Sequence, residues 1–323
     1  MPPLRLQPLF KQRPWGGSRL AQQWQKPEAN STGWAESWEV VDLGEDQSRV
    51  LGGPFDGRLL HDLVREYPGE FLGRHAACGQ FPLLLKFLDA AETLSVQVHP
   101  NDPQAIAIAP GQRGKSEAWV ILSAEPHSRM CIGLKPNVDR ATLERHLADG
   151  TVEQCLHSIA VQAGDVISVP AGTVHAIGAG IALAEIQQPS DLTLRLFDWN
   201  RRDPQGRPRP LHIEHALQCI DFSRGPVSPH LPRENIASDH RCEELISNEH
   251  FLWRRHTSTG QKFQLPDEDR CRIVSAIAGQ ADVQSASGRV FLSLGESLLI
   301  PADCDRIEVE ATAGSVLLEA LPA

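Results

Sequence analysis

The chain has 323 residues, of which 41% are apolar and 22% charged, and a formal net charge of -10. That length suits two domains. The acidic balance argues against nucleic acid as a partner, while a few local cations can still hold a small phosphorylated ligand. Seven cysteines, with no CxxC among them, read as reduced thiols of a cytoplasmic protein and not as a disulfide framework or a zinc ribbon. The first residues, MPPLRLQPLFKQRPW, lack the apolar stretch of a secretory signal.

In chain order, residues 1–56 carry short apolar alternations such as Trp38-Glu39-Val40-Val41, which predict strands and turns, with Trp15, Trp34 and Trp38 as core anchors. Leu59, Leu60, Leu63 and Val64 predict a helix within 57–76, broken near Pro68. Leu94, Val96 and Val98 alternate with Ser95, Gln97 and His99, the period of a strand. Asp102-Pro103 opens a short helix to about 109. Ala118 to Leu122 is a strand, and 139–157 starts as an amphipathic helix closed by Gly150. Strands follow at 165–169, 181–187 and 192–197. The weakly polar stretch Ile167 to Ile186 contains Pro170 and His175, so it predicts strand, turn and strand, with no membrane span. Residues 223–240 form a linker rich in Pro, Ser and Asn, and 241–323 read as many short strands. The run Asp267-Glu268-Asp269-Arg270 is expected to be a solvated turn.

One segment echoes another. GDVISVPA at 164–171 matches GESLLIPA at 295–302; the first continues to His175, whereas the same offset in the second lands on Arg306. Two related barrels are therefore expected, of which the first keeps its ligand histidine.

Three motifs converge on metal chemistry. Ser95, Gln97 and His99 share one strand face, with neighbours roughly 7 Å apart. Glu117 opens an apolar strand, and His175 follows a Gly-containing turn. Two imidazoles, a carboxylate and an amide oxygen suit Zn²⁺, Mn²⁺ or Fe²⁺ with positions left open, so a catalytic centre is favoured over a structural one. Each residue alone is weak: a single histidine is more often a surface or core residue. APGQRGKS at 109–116 nearly matches a phosphate loop, but it lies between a helix and a strand, the reverse of what that loop requires.

The blocks FKQRPWGG, LLLKFLDAAETLSVQVHPND, GKSEAW, GDVISVPAGTVHAIG and LAEIQQPSDLTLRLFDWNR, spanning about residues 8–220, resemble in order the signature blocks of type I mannose-6-phosphate isomerases, and the short bacterial form in particular. The resemblance implies a mainly β fold of two cupin-like jelly-roll barrels in tandem, with a small helical insertion in the first. Residues 1–235 would be the catalytic domain and 236–323 a C-terminal barrel lacking metal ligands. It implies one Zn²⁺ per chain, replaceable by other divalent ions, on Gln97, His99, Glu117 and His175. Arg195 would lie in the active site near the transferred proton, and Ser95 and Lys115 near the substrate. Some family members have His-Lys-Pro-Glu where this chain has Gly114-Lys115-Ser116-Glu117, so no role of that histidine carries over. The large helical insertion of longer members is also absent.

The reaction expected is the interconversion of mannose 6-phosphate and fructose 6-phosphate through an enediol. The guanidinium of Arg195 is too basic to take the proton and would instead stabilise charge or orient the sugar. Lys115 and Glu185 are candidates for the base or for contacts to the substrate, and Lys86 or Arg202 for the phosphate. A small-molecule sugar phosphate is the expected partner of a monomer or homodimer. Two other readings compete: a cupin-type Fe(II) dioxygenase, and a sugar-phosphate-binding module without turnover.

Overall fold

The computed structural model describes residues 1–26, 33–203, 205–235 and 240–323. It is mainly β, 41% strand and 17% helix, consistent with a cupin-like fold. The chain divides into two compact units: Met1–Gln12, Ser18–Phe87 and Leu231–Ala323 form the first, and Arg13–Gly17 with Leu88–His230 the second.

The second unit holds the three motifs. One antiparallel sheet runs in the order Leu156–Ala160, Arg129–Leu134, His175–Ala176, Val96–Val98 and Leu194–Phe197. Side chains alternate across it. Val96, Val98, Ala176, Leu194 and Leu196 point to one face and bury against Leu143 of the helix Arg140–Ala148 and Leu217 of the helix Ile213–Cys219. Asp139 caps the first of these helices by accepting from Thr142 N at 2.8 Å. The same alternation leaves Gln97, His175 and Arg195 on the opposite face. Val166–Val169, Glu117–Ala124 and Ile181–Gln187, three neighbouring antiparallel strands of a six-stranded sheet, supply Glu117 and Glu185.

The helix predicted at 103–109 runs over Asp102–Ile108, where Asn101 and Gln104 form a capping box. The segment 109–116 does connect a helix to a strand, and Ile167 to Ile186 is built of strands; among the described residues no helix is long and apolar enough to cross a membrane.

In the first unit an eight-stranded sheet includes Arg241–Ser247, Phe251–Thr257, Val316–Pro322, Arg272–Ala278 and Ser297–Ile300, and continues into Leu4–Gln7 and Arg49–Leu51. Val274, Leu298 and Leu317 of this sheet share a core with Val283, Leu292 and Val309 of a four-stranded one. Because Leu4 pairs with Leu299 and Arg5 with Leu51, most of the N-terminal segment clusters with the C-terminal strands. The observed division thus differs from a single cut after residue 235, a position beside residues 236–239, which lie outside those described. The helix expected at 57–76 also falls in this unit. It forms as Leu60–Glu66 and Pro68–Leu72, interrupted at Tyr67, whose position before a proline disfavours helical geometry.

The two echoing segments do match locally: each has a glycine of positive φ, then the strand Val166–Val169 or Ser297–Ile300. The acidic run at 267–270 is not merely a solvated turn. Arg270 is buried, and Glu268 pairs with both Arg254 and Arg270.

Candidate metal centre

His99, Glu117 and His175 are all buried, and their ligand atoms lie within 4.8 Å of one another. Glu117 Oε1 is 3.4 Å from His175 Nε2 and 3.7 Å from His99 Nε2. The far side of each ring is committed. His99 Nδ1 donates to the Leu192 carbonyl at 2.9 Å, and His175 Nδ1 donates to the Thr173 carbonyl at 2.9 Å. Each Nδ1 therefore keeps its proton and each Nε2 presents a lone pair toward Glu117, which is the arrangement second-layer hydrogen bonds impose on metal-binding histidines. Burial pushes the His175 pKa down to about 4, so the ring is a neutral donor near neutral pH.

Glu117 Oε1 is buried with no hydrogen-bond donor. Two nitrogen lone pairs and a carboxylate oxygen converging without a proton between them fit a divalent cation. Gln97 pairs with His175 across the strands, and its amide lies 3.1 Å from His175 Nε2. A half-turn of that amide would present its oxygen at the same point.

Lys115 lies beside this set. Its Nζ is 2.9 Å from Glu117 Oε2, 3.3 Å from His99 Nε2 and 3.9 Å from Glu185 Oε1. Burial opposes its charge, yet the Glu117 and Glu185 carboxylates outweigh burial and hold the ammonium above the ordinary lysine range. Glu185 is steered by Trp119, whose Nε1 donates to Oε2 at 2.8 Å while its ring meets His175 edge-on. No motif marks Trp119 in the sequence, although it stands two residues after Glu117 and so shares its strand face.

Arg195 is directly opposite Gln97 across the strands. Its Nε donates to Ser95 Oγ at 3.2 Å and its Nη1 to the Pro210 carbonyl at 2.9 Å. Pro210 lines a cleft of about 640 Å³ that also receives Trp15, Arg201, Arg202, Arg207 and Arg209. Arg202 donates to the Gly206 carbonyl and pairs with no carboxylate among the described residues. Lys86 stands on the strand Leu84–Ala90, over the Trp38 ring and 3.6 Å from Glu36. Apart from Lys86, the residues expected at the site all lie in the second unit, and the structure adds the carbonyls of Leu192 and Thr173, the Trp119 indole and the arginine cleft.

A buried pair of histidines and a carboxylate, flanked by a lysine and an arginine on a β scaffold, defines a metal-dependent enzyme of the cupin-like class. A family model described as phosphomannose isomerase type I, catalytic domain, matches residues 4–115. Mannose-6-phosphate isomerase ManA of Bacillus subtilis is 31% identical over 98% of both chains, and mannose-6-phosphate isomerase of Streptococcus mutans is 32% identical over 93% of this chain and 92% of its own. The crystal structure of mannose 6-phosphate isomerase from Bacillus subtilis superposes with a TM-score of 0.89, at 27% identity and 99% coverage of each chain. The chain belongs to the type I mannose-6-phosphate isomerase family.

Proposed function

We propose that this protein interconverts mannose 6-phosphate and fructose 6-phosphate through an enediol, with one Zn²⁺ held by Gln97, His99, Glu117 and His175. The observation that carries the reading is the convergence of two proton-locked imidazoles on a buried carboxylate oxygen, Glu117 Oε1, that has no hydrogen-bond donor. When bound, the ion supplies Lewis-acid stabilisation of charge developing on the sugar oxygens. The chain's own groups do the rest. Lys115, kept protonated by Glu117 and Glu185, donates a hydrogen bond to a sugar oxygen. Glu185, aimed by Trp119, is positioned to exchange the proton between C1 and C2. Arg195 stays charged throughout and fixes the sugar together with Ser95.

The phosphate is assigned to the arginine cleft, with Arg202 as its first contact; guanidinium groups match a phosphate's geometry and charge. The finer architecture proposed is two jelly-roll barrels in tandem, and the setting proposed is the cytoplasm, in keeping with seven free cysteines.

The test is a coupled assay with mannose 6-phosphate, run as purified, after chelation, and after zinc is restored. Activity lost and recovered with zinc is the expected result. A folded protein that binds one ion at His99, Glu117 and His175 yet turns over no mannose 6-phosphate would overturn it.

A further inference from the structure

The first unit gathers a second set of potential ligands. Cys242 and His256 face each other as a directly paired position of the strands Arg241–Ser247 and Phe251–Thr257. His240 stands just before the first strand, its ring stacked on Phe263 at 3.8 Å between centroids. All three are buried, with ligand atoms within 4.8 Å of one another. His240 Nε2 lies 2.7 Å from His256 Nδ1.

A carboxylate fixes the tautomer here too. His256 Nε2 is 3.0 Å from Glu319 Oε2, and Glu319 is itself fully buried and held by Arg272 at 2.7 Å. With an ion in place of the Nδ1 proton, His256 can keep its Nε2 proton on Glu319 and turn an Nδ1 lone pair to the side of His240 and Cys242. This repeats the logic of the isomerase centre, with a carboxylate in the place of a carbonyl behind the ring. The donor set is two nitrogens and one sulfur, softer than the other centre, where no cysteine takes part. Cys242 also lines a cleft of about 330 Å³ edged by Arg233, Glu234, Glu244 and Arg254, which gives an ion a route in.

We propose that His240, Cys242 and His256 form a second metal site that takes a zinc-class divalent ion with Glu319 orienting His256. A thiolate ligand, two imidazoles and a position open toward the cleft complete a tetrahedral set. The site uses none of the positions related to His175 by the internal echo, so an expectation built on that echo overlooks it.

The sulfur donor is a spectroscopic label. The chelated full-length protein is titrated with Co²⁺ and followed by absorption and by metal analysis. The expected result is two ions per chain, with a thiolate-to-cobalt charge-transfer band in the near ultraviolet that saturates with one of them. Cys242→Ser should remove the band and one ion per chain, and leave isomerase activity unchanged. His240→Gln, which keeps every cysteine, should weaken or shift the band and so covers the case of a misfolded Cys242→Ser. A wild-type protein that takes one ion and shows no thiolate band, or a band that persists in folded Cys242→Ser, would overturn the proposal.

Discussion

Replacing Glu117 with Gln tests the centre in two independent ways, because the carboxylate does two jobs. With the ion removed, Glu117 Oε2 neutralises the Lys115 ammonium at 2.9 Å, and both side chains are almost fully buried. Removing one partner of such a pair strands the other and costs about 3–5 kcal/mol. Here Glu185 stays 3.9 Å from Nζ and keeps some of the charge balanced, so the loss should fall at the low end, about 3 kcal/mol. Gln matches Glu in size, so no cavity contributes. The assay is urea unfolding of the chelated protein, read as a shift in midpoint at constant slope. Adding Lys115→Met removes the stranded ammonium, and the double variant should recover about 2 kcal/mol. In the metal-loaded protein the same Glu117→Gln change should release the ion and abolish turnover. A chelated Glu117→Gln protein as stable as the parent, or a double variant whose losses simply add, would refute the account of Lys115 as a buried cation held by Glu117.

Other expectations concern the groups around the ion. Trp119→Phe deletes the donor to Glu185 Oε2; kcat should fall about tenfold, equivalent to about 1.4 kcal/mol, with zinc content unchanged, and an unaltered kcat would remove Glu185 from proton exchange. Arg195→Lys cannot reach Ser95 Oγ and the Pro210 carbonyl together, so both KM and kcat should worsen in steady-state assays while thermal unfolding barely moves. At Gly178 an added Cβ would fall on the Arg129 carbonyl oxygen, so Gly178→Ala should lower stability by about 2 kcal/mol or more through forced backbone movement; thermal unfolding with unchanged Tm would contradict this.

The proposed ligands were legible because each sits in a short motif whose geometry is local: a strand of period two for Gln97 and His99, a strand start for Glu117, and a turn for His175. What orients them was not. The atoms that lock the two imidazoles are the backbone carbonyls of Leu192 and Thr173, and a carbonyl leaves no mark on the residue type that carries it. The strand pairing of Leu4 with Leu299 joins segments almost a chain length apart, and nothing in a four-residue strand announces its partner. His240, Cys242 and His256 were hidden for a related reason. Cys242 and His256 meet through hairpin register, and Glu319 joins them from a strand more than sixty residues further on. Charge alone made Lys86 a phosphate candidate, and its packing against Glu36 and Trp38 could not be read from the sequence.

The strand Val96–Val98 has one valine on either side of Gln97, and the two sides of its sheet could hardly differ more. A slip of one residue against its neighbours would drive Gln97 into the oily layer and aim both valines at the proposed metal ligands. No intermediate setting exists, because side chains alternate with a period of exactly two residues. The hydrophobic layer beneath therefore proofreads the chemistry above it, since a chain that has buried Val96 and Val98 correctly has already placed the amide between His175 and Arg195. Enzyme activity in this molecule is, in that sense, a readout of strand register.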